Sequence, residues 1–178
     1  NIDGVVEMML DATQNAQEPL SSTRLFDWHA GLFPTGRSGM YKITVGQWRK
    51  DETGPMQVVS GALGKEKVHF QAPEAIRLEH EMRQFIAWFN TNQNLDPVLK
   101  AGVAHLWFVT IHPLDDGNGR IARAIADMQL SKSEGIFSRF YSMSAQIRLQ
   151  RKGYYDILEK TQKGSVDITS WLLWFLNC

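Results

Sequence analysis

The chain has 178 residues, 43% of them hydrophobic, with 19 basic against 19 acidic side chains: enough apolar material for one buried core, and too even a charge to draw in nucleic acid or an anionic membrane. Its one cysteine, Cys178, excludes an internal disulfide framework and an all-cysteine metal site, which suits a reducing, cytoplasmic setting. The apolar run over residues 171–176 is far short of the roughly 20 residues that span a bilayer, and the N-terminus carries no basic region followed by a long apolar one.

The chain begins without methionine and stops inside a helical pattern, so we expect a piece of a longer protein. Residues 1–34 are expected as a helical segment packed on a single core of residues 35–178. Ser21, Ser22 and Thr23 offer N-caps to a helix over 24–33, where Leu25, Trp28, Leu32 and Phe33 recur at helical spacing. From 35 to 70 the texture changes to six glycines, one proline and β-rich pieces such as Met40-Tyr-Lys-Ile-Thr-Val45. Residues 57–60 and 67–70, joined by Gly61-Ala-Leu-Gly-Lys-Glu66, predict a β-hairpin.

After Pro73, the residues Ile76, Leu78, Met82, Phe85, Ile86 and Phe89 mark one apolar face of a helix reaching Asn90. Asp96-Pro97 opens a second helix to Ile111, which His112-Pro113 stops, because a residue before proline is driven out of the α region. A third starts near Asn118, and weaker patterns cover 145–152, 154–162 and 169–177. The fold class is therefore mainly α, a helical bundle carrying a small hairpin. Trp107, Trp171 and Trp174 lie on apolar faces and read as core. His29, His69, His80 and His105 lack ligand spacing, so no structural zinc is expected.

One segment concentrates chemistry: His112-Pro-Leu-Asp-Asp-Gly-Asn-Gly-Arg-Ile-Ala-Arg123. Gly117 and Gly119 let backbone N–H groups approach a ligand, and the helix that follows adds its partial positive charge, which together make an anion cradle. Arg120 and Arg123 stand three apart on one helical face and suit neighbouring phosphates of a polyphosphate. Asp116 suits a divalent cation shared with those phosphates. His112 is the loop's one group with an ordinary pKa near neutrality, fit to take a proton from an attacking hydroxyl. Asp115 reads as a solvated loop carboxylate.

The order of these residues resembles the Fic family signature, His-x-Phe-x-Asp/Glu-Gly-Asn-Gly-Arg-x-x-Arg. His112, Asp116, Gly117, Asn118, Gly119, Arg120 and Arg123 match it; Leu114 replaces the phenylalanine and keeps an apolar anchor. The resemblance extends over residues 35–175. It implies that the 57–70 hairpin is a flap on which a target protein docks, with Val58, Val59, Ser60 and Gly61 covering the nucleotide. Tyr154, Tyr155 and Gln162 would border the adenine pocket.

The implied reaction is AMPylation: a Ser, Thr or Tyr hydroxyl of the target attacks the α-phosphate of ATP and pyrophosphate leaves. His112 would be the general base and Asp116 would hold Mg²⁺. Asn118 and the loop N–H groups would steady the α-phosphate, and Arg120 and Arg123 would take the outer phosphates. Many family members restrain themselves with a helix bearing Ser/Thr-x-x-x-Glu-Gly/Asn. Here the only glutamate before Gly or Asn is Glu134, preceded at the critical position by Leu130. An inhibitory helix would have to come from upstream in cis or from a partner in trans, so these residues alone are expected to be unrestrained. Transfer of UMP, phosphate or phosphocholine is the alternative within enzymes; an ATP-gated peptide-binding module is the alternative outside them.

Overall fold

Eight α-helices and two short hairpins build the described part of the computed structural model, residues 2–52, 54–62, 64–91, 94–134 and 143–178. The centre is the pair α4 (Pro97–Ile111) and α5 (Asn118–Glu134), joined by the loop that the sequence singles out. The Asp96 carboxylate accepts the backbone N–H groups of Val98 and Leu99, and Pro97 takes the first turn, where its missing N–H costs nothing. Ala101, Ala104, Leu106, Phe108, Val109 and Ile111 are all buried, as befits a helix enclosed by others. Ile121, Ala122, Ile125, Ala126 and Met128 do the same for α5.

Two N-terminal helices cover α5. Within the N-terminal segment expected to be helical, whose first half the sequence reading does not divide into elements, α1 (Ile2–Gln14) forms and buries Met8 and Ala12. Its crossing with α2 (Ser22–Leu32) is so close that a Cβ on Gly4 would fall 1.9 Å from the Gly31 carbonyl oxygen. Ser21 caps α2 by accepting from the Arg24 N–H at 3.1 Å. The C-terminal end of α2 carries Leu32 and Phe33 to the catalytic-loop candidate, where both approach Gly117.

The stretch expected to be rich in β structure holds β1 (Arg37–Ser38) paired with β2 (Tyr41–Lys42), two residues each. The expected hairpin is β3 (Gln57–Ser60) against β4 (Lys67–Gln71), with a bulge between Val58 and Val59. Residue 63 of its connection lies outside the described residues. A 3-10 turn at Ala75–Arg77 leads into α3 (Leu78–Asn90), which buries Met82, Phe85 and Phe89. Ile76, expected on that apolar face, is 86% exposed: it sits in the 3-10 turn, where the 3.6-residue phase does not hold.

At the C-terminus, α6 (Met143–Leu149) and α7 (Arg151–Gln162) replace the weaker patterns, and α8 (Thr169–Leu176) packs on α4. Trp171 is fully buried and donates its indole N–H to the Gly102 carbonyl at 2.8 Å, while Trp107 and Trp174 are half-buried and pack against the same core. Among the described residues no helix is long and apolar enough to cross a membrane.

Candidate active site

His112 ends α4 in the left-handed region, φ 51° and ψ 56°, and is the one described non-glycine residue with positive φ. Pro113 forbids a further helical turn, while the His112 N–H still donates to the Phe108 carbonyl at 3.0 Å. The ring turns back on its own helix, where Nδ1 donates to the Val109 carbonyl at 3.1 Å. That bond assigns the proton to Nδ1 and leaves Nε2 as the basic nitrogen. Burial pushes the His112 pKa below its ordinary value; the Val109 bond opposes this, the nearby Arg49 charge adds to it, and Asp116 opposes it. The imidazole is thus kept neutral, as a general base requires.

The loop between His112 and α5 is held by its own residues. Leu114 is wholly buried, the anchor expected of it. Asn118 is 2% exposed, and its amide accepts the Leu114 N–H at 3.0 Å and donates to the Leu114 carbonyl at 2.8 Å. The Asn118 side chain thus fastens the loop to itself, and its backbone N–H lies at the start of α5.

Gly117 has φ +84° and a Cβ there would meet Phe33 at 3.0 Å, so this glycine serves the turn. At Gly119 an added Cβ would meet nothing within 4 Å. The backbone there, in the first turn of α5, stands beside open space that an anion can enter.

Asp116 accepts from the hydroxyl of Ser38 and from the Gly117 N–H at 2.5 Å, and its side chain is 45% exposed. Arg120 stands over the Phe33 ring with 4.7 Å between guanidinium and centroid, and 4.0 Å from Asp116. Arg123, one turn on, is half-buried, and its charge acts on His105 and Tyr154. No group of three or more histidines, cysteines or carboxylates is gathered for a metal among the described residues. One partly exposed carboxylate fits Mg²⁺, which takes one or two carboxylates and completes its shell with phosphate oxygens and water.

Several partners of the loop carry no local signal in the sequence. Asp115, read as solvated, accepts the Thr44 N–H at 2.7 Å. Arg49 donates to the carbonyl of His112 at 2.7 Å. His29 is fully buried, edge-on to Phe33 with ring centroids 5.2 Å apart, and burial lowers its pKa against the opposing influence of Asp116 and Asp115. The Asp115–Thr44 and Arg49–His112 bonds span 71 and 63 positions of sequence, so only the fold could reveal them.

Of the expected outer residues, Tyr155 is 51% exposed whereas Tyr154 is 3% exposed. The Tyr154 hydroxyl pairs with His105 Nε2 at 2.9 Å among Trp171 and Trp174. Tyr154 thus packs in the core and is not among the residues that line the groove bordered by Gln162. Gln162 donates to the Thr110 hydroxyl at 3.2 Å and approaches the Val109 carbonyl that also receives His112. It borders a groove of about 450 Å³ with Val103, Leu106, Trp107, Thr110 and Ile168. A hollow of about 520 Å³ between α1 and α2, lined by Asp11, Arg24 and Trp28, shares no residue with the loop.

The flap is moored to α7. His69 Nδ1 donates to Glu159 at 2.5 Å, while Nε2 accepts from the Ser60 hydroxyl at 2.5 Å. Bonds from Lys163 and then His69 hold the Glu159 carboxyl down to about 2. Val59 and Ser60 are exposed and Val58 is half-buried. Gly61 turns at φ +109°, where a Cβ would strike the Lys65 carbonyl at 2.7 Å.

Comparison with known proteins agrees with this architecture. Residues 19–130 match the Fic/DOC family. The chain is 31% identical over 99 residues to a protein of Culex quinquefasciatus named protein adenylyltransferase Fic, covering 54% of this chain and 18% of that protein. A protein adenylyltransferase Fic of Drosophila grimshawi is 32% identical over 99 residues, covering 54% and 19%. The chain thus spans about a fifth of the curated relatives it matches.

Among solved structures, a Fic-domain-containing signaling protein of Bacteroides thetaiotaomicron superposes with a TM-score of 0.71 at 22% identity, over 98% of this chain and 62% of that one. A Fic family protein of Desulfovibrio desulfuricans superposes at 0.74 and 22% identity, over 97% and 48%.

Proposed function

The chain belongs to the Fic/DOC family, and from that membership we propose that it is a protein adenylyltransferase, moving AMP from ATP to a Ser, Thr or Tyr hydroxyl of another protein. The observation that carries the reading is the neutral His112, its Nδ1 spent on Val109, at the mouth of a loop whose Gly119 backbone borders open space at the start of a long helix.

In this reading the triphosphate lies across the N-terminus of α5. Backbone N–H groups of the first turn, which have no partner within the helix, meet the α-phosphate. Arg120 and Arg123 take the outer phosphates, and Asp116 would hold Mg²⁺, which when bound would offset negative charge on the phosphates. The target hydroxyl gives its proton to His112 Nε2 as its oxygen bonds to the α-phosphorus. The bond from that phosphorus to the bridging oxygen breaks, and pyrophosphate leaves. Charge built up on the phosphates is met by dipoles and cations already in place.

The target docks on the flap. β3 pairs only with β4 among the described residues, and its other edge offers backbone groups to an extended peptide. His69 and Glu159 moor the paired strand β4 to α7, with Tyr155 and Gln162 on the nucleoside side.

The test is incubation with Mg²⁺ and ATP labelled at either the α or the γ position. Incorporation of α label into protein, with an AMP added by intact mass, is the expected result. Incorporation of γ label alone would replace this reading with phosphate transfer. ATP binding with no label from either position would leave a nucleotide-gated binding module.

A further inference from the structure

Arg49 is 2% exposed, and each of its three guanidinium nitrogens donates a hydrogen bond. Nε donates to the His112 carbonyl at 2.7 Å, Nη1 to Asp51 at 2.6 Å and Nη2 to the Pro73 carbonyl at 2.5 Å. Its backbone N–H donates to the Pro113 carbonyl at 2.9 Å. Asp51 in turn accepts the Ala75 N–H at 2.6 Å. Residues 73–75 are the stretch that leads out of β4, so the root of the flap and the backbone of His112 hang on one guanidinium.

We propose that Arg49 is a positioning residue for His112: its fork holds the left-handed backbone from which the imidazole is presented, and ties that backbone to the root of the flap. The proposal rests on the reading of His112 as the base. A non-glycine residue in the left-handed region is strained and persists only where its surroundings over-determine it. The helix that ends at His112 supplies no donor for the His112 carbonyl, and buried carbonyls need one. Arg49 supplies it, and also satisfies Pro113, whose position fixes where the loop departs.

A guanidinium alone directs donors at three acceptors in one plane; the lysine ammonium is a point charge without that fork. The charged groups facing the His112 ring are Arg49 and Asp116. Arg49 lies on the backbone side and touches no reacting atom in the mechanism above, so its effect passes through His112.

The test compares the unaltered chain with Arg49→Lys, Arg49→Gln and His112→Ala. ATP affinity is read by calorimetry, and incorporation of α label is read into the chain itself and into an added soluble protein extract. His112 ring resonances are followed by NMR through a pH titration.

The Arg49 variants are expected to bind Mg-ATP within about threefold of the unaltered chain while incorporation slows at least about tenfold. In Arg49→Gln the His112 midpoint moves upward, read on the folded-state resonances with the folded fraction checked by circular dichroism at each pH. The check is needed because unfolded chain would also titrate near the ordinary histidine value. Unchanged incorporation together with an unmoved His112 midpoint overturns the proposal. No α label even in the unaltered chain, with a His112 midpoint that still responds to Arg49, fails the adenylyl reading and leaves the positioning role standing. Should both Arg49 variants fail to fold, exchange of the Arg49 Nε–H in the unaltered chain decides: slow exchange supports the fork, and exchange at the rate of a surface arginine overturns it.

Discussion

The amide of Asn118 clasps the backbone of Leu114 from both sides, accepting its N–H at 3.0 Å and donating to its carbonyl at 2.8 Å. The clasp closes the loop around the buried Leu114 side chain and sets where α5 begins. Asn118→Ala leaves two buried backbone groups unpaired and is expected to cost about 2–4 kcal/mol of folding free energy. Chemical denaturation measures it; a loss below about 1 kcal/mol would mean that the loop holds without the clasp.

His112→Ala removes the proposed base and leaves the proposed anion cradle. ATP affinity is expected to stay within about threefold, while incorporation of α label falls at least about a hundredfold. Survival of labelling in this variant would remove His112 from the mechanism.

Burial, reinforced by Arg49, sets the His112 pKa below 6.5. A general base works only when neutral, so on the proposed mechanism incorporation should rise with pH through that lowered value and then level off. A pH-rate profile on saturating Mg-ATP checks it. A midpoint well above 6.5 would show that some other group limits the rate.

The two loop glycines should respond oppositely. Gly117→Ala sets a Cβ at φ +84° and 3.0 Å from Phe33, which should lower stability by about 1–3 kcal/mol. Gly119→Ala meets no protein atom within 4 Å, so the fold should tolerate it while ATP affinity falls. Thermal denaturation beside calorimetry separates the effects; unchanged ATP affinity in Gly119→Ala would move the nucleotide elsewhere.

His105 is fully buried, and burial, with the Arg123 charge adding to it, pushes its pKa down to about 3. Between about 6.5 and 3 the unfolded chain holds a proton on this residue that the folded chain does not. Stability is therefore lost as pH falls through that window, by up to about 1.4 kcal/mol per pH unit from this residue. Denaturation curves for the unaltered chain and His105→Gln should converge as the pH is lowered. Parallel pH dependences would exclude His105 as a source of the acid sensitivity.

Local chemistry made much of this protein legible in one dimension. Asp96-Pro97 opens α4 because a carboxylate cap and a proline suited to the first turn act within three residues. His112-Pro113 ends it for an equally local reason. The β3–β4 hairpin followed from β-formers on either side of residues 61–66, and the start of α5 from the glycine-bearing turn before it. These interactions reach no farther than a turn or two of backbone, so residue order alone specifies them.

Tertiary structure decided which of those side chains had a partner already. Asn118 has the same place in the motif whether it meets phosphate or Leu114, and only the depth of the loop in the core committed it to Leu114. Tyr154 and Tyr155 are adjacent and chemically alike, yet packing of α8 buried one and left the other exposed. Arg49 and Ser38 reach the loop across 63 and 78 positions of chain, and α1 forms where Gly4 meets Gly31. Residue order fixes contacts within a few positions through backbone stereochemistry and capping, whereas burial and pairing at long separation depend on how helices close around one core, a property of no single segment.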